Sequence, residues 1–171
     1  MDIKSKDNME LRSQKERDSY QFEKLRKIID LAKSNSEGWK SILEGIKSDS
    51  IKKINDLNNI PIMQKSSLSK FQSRNPPLGG LTTKNPNNFR HLFASPGPIY
   101  EPGGEGDFWR MSRAMQAANF EKGDVMYNTF SYHLTPAGFM MDQAASKLGI
   151  GVIPGGIGNT ELQVRIISEL K

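Results

Sequence analysis

Between Phe89 and Lys171 the chain switches repeatedly between short apolar runs and stretches of helical period, with Gly or Pro near each switch. That rhythm restricts the fold more than any other feature. FRHLFAS (89–95), DVMYNTFS (124–131) and IGVIP (150–154) read as strands, and FWRMSRAMQAANF (108–120), AGFMMDQAASKL (137–148) and ELQVRIISEL (161–170) as helices. Gly123 and Gly149 stand where helix-ending glycines are expected. Thr135-Pro136 predicts an N-cap and first helical residue, and Thr160 with Gln163 predicts a capping box. The order β-α-β-α-β-α predicts an α/β fold built on a partial parallel sheet with right-handed crossovers. Ligands in such sheets bind beyond the carboxyl ends of the strands, here the loops at 95–107, 131–135 and 154–160. Three parallel strands make a poor complete sheet. The expectation is therefore a piece of a longer domain, or one completed by another chain.

The N-terminal half follows a different pattern. Residues 1–18 are mostly polar or charged and are expected to be a frayed tail. Residues 19–72 read as a helical region. Phe22, Leu25, Ile28, Ile29 and Ala32 fall at helical spacing until Gly38, followed by Trp39, Ile42, Leu43 and Ile46 on a second helix. Ser50 is a candidate cap for a turn carrying Ile51, Ile54 and Leu57, and Ser66 or Ser67 opens a turn through Leu68 and Phe71. Residues 73–88, rich in Pro, Gly and Asn, read as a loop, and residues 89–171 as a partial α/β domain.

Composition excludes several chemistries. The chain has no cysteine and two histidines, His91 and His133. A disulfide framework, a thiolate nucleophile and a Cys- or His-rich metal centre are ruled out, so no metal ligands are assigned. No apolar run spans a bilayer and the N-terminus lacks a secretory apolar core, so a cytoplasmic protein without membrane contact is expected. Of the formal charge of +5, residues 61–100 carry Lys65, Lys70, Arg74, Lys84 and Arg90 and no acid. This stretch is a candidate anion surface or a solvated basic loop. Phe71 and Phe89 are too sparse a set of stacking aromatics for a nucleic-acid partner to be favoured.

The loop SPGPIYEPGGEGD has the position of a phosphate loop but not its chemistry. Pro96, Pro98 and Pro102 each lack an N–H, and Glu101, Glu105 and Asp107 repel an anion. Gly156 and Gly158 keep two glycines of a dinucleotide fingerprint, but Glu161 replaces the third, so nicotinamide binding is not favoured. Phe130, Tyr132 and His133 arrive at a strand end, where they either line a pocket with two polar handles or pack as ordinary core.

Three collinear segments carry a resemblance. IKKINDLNNIPIMQKSSL (51–68) matches an I-x-x-L-x-D-L-x-x-I-P-x-x-x-K-x-x-L pattern at Ile51, Ile54 (for Leu), Asp56, Leu57, Ile60, Pro61, Lys65 and Leu68. FSYHLTPAGF fits Y-G-Y-G-L-F-x-G-G at Tyr132, Leu134 and Gly138. KLGIGVIPGGIGNTELQVRII fits R-L-G-A-x-V-I-P-x-x-G-G-N-T-E-R-Q-V at Leu148, Gly149, Val152, Ile153, Pro154, Gly158, Asn159, Thr160, Glu161 and Gln163. In these segments the chain resembles phenylacetate–CoA ligases, a family of adenylate-forming enzymes.

The resemblance implies ATP, Mg²⁺ and CoA as cofactors of a full-length parent that adenylates a carboxylic acid and passes the acyl group to CoA. It implies acid-site residues Tyr132, His133, Gly138, Pro154, Gly155, Gly158 and Asn159. It also implies a nucleotide-facing loop with Ser95, Gly97, Gly103 and Gly104, and so adds nucleotide and acyl binding to the partial α/β domain of residues 89–171. The family's S-S-G-T-T-G-x-P loop is altered, since Ser95, Gly97 and Pro102 survive but both threonines and the second glycine do not. No catalytic residue of the family falls within the 171 residues, so the chain alone is expected to be inactive. Its expected partners are a small carboxylic acid, a nucleotide and the remainder of a ligase chain, with a second copy as a candidate. The alternative is a non-catalytic binding or regulatory module of the same fold.

Overall fold

Helix formation begins earlier than the polar composition predicts. In the computed structural model, which describes residues 9–170, Ser13 Oγ accepts the Glu16 N–H while the Glu16 carboxylate accepts the Ser13 N–H at 2.8 Å. This reciprocal cap satisfies two otherwise orphaned donors and starts α1 (Gln14–Asn35) inside the stretch expected to fray. The rest of that expectation, residues 1–8, lies outside the described residues.

The first helix ends at Ser36, ahead of Gly38. Ser36 closes α1 and caps α2 (Glu37–Ile42), accepting the Trp39 N–H at 3.2 Å. Gly38 belongs to α2, and a Cβ there would stand 2.9 Å from the Gly80 carbonyl oxygen. Ile29, Leu43 and Ile51 form the buried centre, with Phe22, Leu25, Ala32, Trp39, Ile46, Leu57 and Ile60 packed around them. The expected turn after Ser50 is made of short 3₁₀ segments at Ser48–Ser50 and Ile54–Asn59, which leave Ile54 exposed. Asp56 accepts the N–H groups of Lys52 and Lys53 at 2.8 and 3.0 Å, so the motif aspartate is a local cap. α3 (Leu68–Arg74) carries buried Gln72. Its side-chain amide pairs with both backbone groups of Tyr100, at 2.7 and 2.9 Å. These elements make one compact unit, residues 9–89 with Pro96–Tyr100; the second comprises Arg90–Ser95 with residues 101–170.

The α/β class holds, with its strands in two small sheets. β1 (Leu92–Ser95) pairs with β2 (Ile99–Pro102), and β3 (Val125–Tyr127) with β4 (Gly151–Ile153). The three-residue connection after Ser95 is too short for a parallel crossover, so the first expected strand returns on itself as a hairpin. It therefore stands outside the parallel ladder, which has two strands among the described residues. The second unit still ties β1 to the chain beyond β3, through the Ala94 N–H to the Leu134 carbonyl at 2.9 Å. β3 and β4 run parallel in the register Val125↔Gly151, Met126↔Val152 and Tyr127↔Ile153.

Three helices accompany this ladder: α4 (Met111–Ala117), α5 (Ala137–Leu148) and α6 (Thr160–Leu170). α4 starts later than its apolar pattern suggests because Arg110 is left-handed, with φ 59°. The Asp107 carboxylate accepts the Ser112 N–H at 3.2 Å. α5 has Pro136, not Thr135, at its cap position. On α6, Gln163 donates its side-chain amide to Gly158 O at 2.6 Å, in place of the capping box with Thr160. Ala144 and Ala145, both fully buried, let α5 lie close on Met126 and Ile150, with Met115 completing the centre. Burying each of these larger side chains contributes about 1.5–3 kcal/mol.

Candidate functional site

The carboxyl ends of β3 and β4 lie side by side, so the segments leaving them share one edge of the second unit. Asn128, one residue past β3, joins them. Its N–H donates to Ile153 O at 2.9 Å and its carbonyl accepts the Gly156 N–H at 3.0 Å. Its side chain, on a residue only 2% exposed, donates to Tyr132 Oη at 2.7 Å and to Gly138 O at 2.9 Å. Its Oδ1 accepts the Phe130 N–H at 3.1 Å. One buried residue thus fixes the strand end, the following loop, the first turn of α5 and the β4 exit. Sequence reasoning missed it, because Asn in Y-N-T-F reads as an ordinary strand-end polar residue. The signal available was its position immediately beyond a strand that ends in a candidate ligand loop.

Tyr132 and Gly138 are brought together: a Cβ on Gly138 would stand 2.7 Å from Tyr132 Cγ. The Tyr132 ring also meets Phe139 edge-on at 5.3 Å. Phe139 continues to His91 at 4.6 Å and Phe93 at 5.5 Å, and Phe93 to Trp109 at 6.1 Å. Tyr132 therefore packs on an aromatic cluster that includes His91, a residue the sequence did not assign to the site. Burial raises the Tyr132 pKa; the Asn128 hydrogen bond opposes this and the charge of Asp142 adds to it. The phenol stays protonated at neutral pH.

His133 is exposed, and its main-chain N–H donates to Ser131 Oγ at 3.1 Å. Pro154, Gly155, Gly158 and Asn159 are exposed on the β4 loop. Gly155 has a packing role, since a Cβ would fall 2.2 Å from Tyr127 Cε1. Gly158 and Asn159 are turned to α6: Gly158 O accepts from the Gln163 side chain and Asn159 O from the Gln163 N–H at 3.1 Å. Asn159 is left-handed, with φ 54°, as is Leu134 at 60° on the other loop.

The residues expected to face a nucleotide lie on and just after the β1–β2 hairpin. Ser95 ends β1, and Gly97, with φ 146°, lies in the hairpin turn within the first unit's share of the chain. Gly103 donates its N–H to His91 O at 2.9 Å, and a Cβ there would stand 2.9 Å from Phe93 Cε2. A Cβ on Gly104 would collide with the Phe108 ring. Both glycines are thus required by close aromatic packing. Nearby, the Asp107 side chain is 3% exposed and bonds to Ser112 Oγ and to Lys147 Nζ, the latter at 3.1 Å. Burial opposes its charge, but the Ser112 hydrogen bonds and Lys147 outweigh that and hold its carboxyl below the usual range.

Among the described residues no group of three or more His, Cys, Asp or Glu side chains could hold a metal ion. No described helix is long and apolar enough to cross a membrane. On the opposite face of the ladder a cleft of about 570 Å³ is lined by Phe120, Val125, Tyr127, Ile153, Ile167 and Leu170, among others. It contains none of the expected site residues.

No family model matches the chain. A phenylacetate-coenzyme A ligase of Aromatoleum evansii is 27% identical over 173 residues, covering 95% of this chain and 38% of that protein. Among solved structures, 2-hydroxyisobutyryl-CoA ligase in the postadenylation state with 2-HIB-AMP superposes with a TM-score of 0.81 at 19% identity. That match covers 92% of this chain and 35% of the ligase. The open conformation of that ligase with 2-HIB-AMP and CoA gives 0.80 at 19% identity, over 91% and 35%. The chain therefore spans well under half the length of these relatives.

Proposed function

We propose that this chain, whose fold is that of the N-terminal part of an adenylate-forming CoA ligase, supplies the acid-binding mouth of such an enzyme. The observation that supports this most directly is the joining of the two strand-end loops by Asn128 beneath Tyr132, at the edge where parallel sheets take their ligands. The aromatic floor of Phe139, His91 and Phe93 suits an aryl or short acyl group, while polar atoms at the rim suit its carboxylate. Tyr132, His133, Gly138, Pro154, Gly155, Gly158 and Asn159 are the proposed acid-site residues.

In the complete reaction a carboxylate oxygen attacks the α-phosphorus of ATP. The bond to pyrophosphate breaks and an acyl-adenylate forms. The CoA sulfur, having lost its proton, then attacks the acyl carbon and AMP leaves. Catalysis of this kind depends on positioning and charge neutralisation. This chain contributes positioning. Ser95, Gly97, Gly103 and Gly104 remain the proposed nucleotide-facing residues. Their prolines and packed glycines leave few free N–H groups, so the grip on phosphate is weak. The remainder of a ligase chain is the proposed partner, a second copy a further candidate, and the cytoplasm the proposed location.

Calorimetry on the 171-residue chain tests this. Phenylacetate is expected to give saturable heat, ATP with Mg²⁺ little or none, and the chain with all three substrates no acyl-CoA. Heat absent with phenylacetate up to millimolar concentration would remove the acid site.

A further inference from the structure

We propose that Asn128 is a positioning residue that fixes the polarity of the Tyr132 hydroxyl, so that its proton is offered to one oxygen of a bound carboxylate. This deepens the acid-site reading and rests on it.

The chemistry of Asn128's neighbours determines which way its amide faces. The Phe130 N–H can only donate, so the group 3.1 Å away must be the amide oxygen. The Gly138 carbonyl can only accept, so the group 2.9 Å away must be the amide nitrogen. No reversal of the amide satisfies both. The second amide N–H then meets Tyr132 Oη at 2.7 Å, and the phenol oxygen must act as acceptor. Its own O–H is released to seek an acceptor elsewhere.

The ring has little freedom to turn away. Gly138 lies directly against one side of it and Phe139 meets it edge-on at 5.3 Å. Burial raises the pKa of the phenol, which keeps its proton at neutral pH. An N–H donated into a hydroxyl oxygen also strengthens that hydroxyl as a donor. A half-buried, protonated, oriented O–H favours an anionic oxygen over a neutral one, since hydrogen bonds to charged groups are the stronger. Asn128 does not touch the ligand in this arrangement. It acts through Tyr132.

Two measurements separate this from a purely structural role. The first needs no ligand. In amide exchange by NMR, both side-chain N–H protons of Asn128 are expected to be protected in the wild-type chain. In Tyr132→Phe one of them loses protection and the other, on Gly138, keeps it. Two freely exchanging protons in the wild type, or no change in Tyr132→Phe, would overturn the proposal.

The second compares phenylacetate with 2-phenylethanol. Tyr132→Phe is expected to weaken phenylacetate by about tenfold or more and 2-phenylethanol by less than about threefold. Asn128→Asp, which presents only acceptors to Tyr132, is expected to abolish the preference for the acid. If that variant fails to fold, the Tyr132→Phe pair of measurements still decides. Equal losses for both ligands in Tyr132→Phe, or phenylacetate affinity left unchanged, overturn this proposal alone. Absence of phenylacetate binding by the wild type overturns the acid-site reading and the ligand half of this proposal with it.

Discussion

Gly138 shows how a single hydrogen atom in place of a methyl shapes the packing around Tyr132. A Cβ there would lie 2.7 and 2.8 Å from Tyr132 Cγ and Cδ2 and 2.9 Å from the Ser131 carbonyl oxygen. Ala is ordinarily better than Gly in a helix by about 1 kcal/mol. Here a backbone oxygen is among the obstacles and cannot swing aside, so overpacking of about 1–3 kcal/mol prevails. Gly138→Ala should therefore lower stability in urea by about 1–2 kcal/mol and weaken phenylacetate by displacing Tyr132. Asp107 gives a second test. Its folded pKa is depressed, so its contribution is present above the unfolded value of about 3.9 and is lost as pH falls through the folded value. Asp107→Asn should cost about 1–2 kcal/mol at pH 7, little of it from the half-exposed Lys147. Wild type and variant should converge in urea melts as pH falls through the folded value. A difference independent of pH would mean that shape, not charge, holds the Asp107 turn.

Elements were legible where their period was long and their ends were marked. The helices over Ala137–Leu148 and Thr160–Leu170 follow directly from apolar spacing and from Gly149. β2 was not legible, because Pro96, Pro98, Gly97 and Pro102 bracket Ile99–Tyr100–Glu101 and composition reads the whole stretch as loop. A hairpin edge tolerates those prolines, and Gln72, distant in sequence, supplies Tyr100 with the pairing that a strand would. The aromatic packing around the glycines at 103 and 104 was illegible for a related reason. A sequence does not reveal that two rings, Phe93 and Phe108, need the room. At the other end, the polarity of residues 12–18 concealed a helix start that depends on two short side chains, Ser13 and Glu16. Ser13→Ala should destabilise the N-terminal unit by about 1 kcal/mol and increase amide exchange in the first turn of α1 alone.

At the scale of the molecule, the second unit covers its parallel ladder unevenly. α5 seals the Met126 face with Ala144 and Ala145, while the Val125 side leaves Val125 63% exposed above a cleft reaching Ile167 and Leu170. α6 adds Leu162, Val164 and Ile167 at 44%, 62% and 57% exposure. Because these side chains bury little, replacing them should barely affect stability. The double variant Val164→Lys with Ile167→Lys should melt within about 1 kcal/mol of wild type. It should also lose most of the fluorescence of a bound apolar dye such as ANS under native conditions. Strong destabilisation with unchanged dye binding would show instead that α6 is part of the folded core and that the exposed apolar surface lies elsewhere.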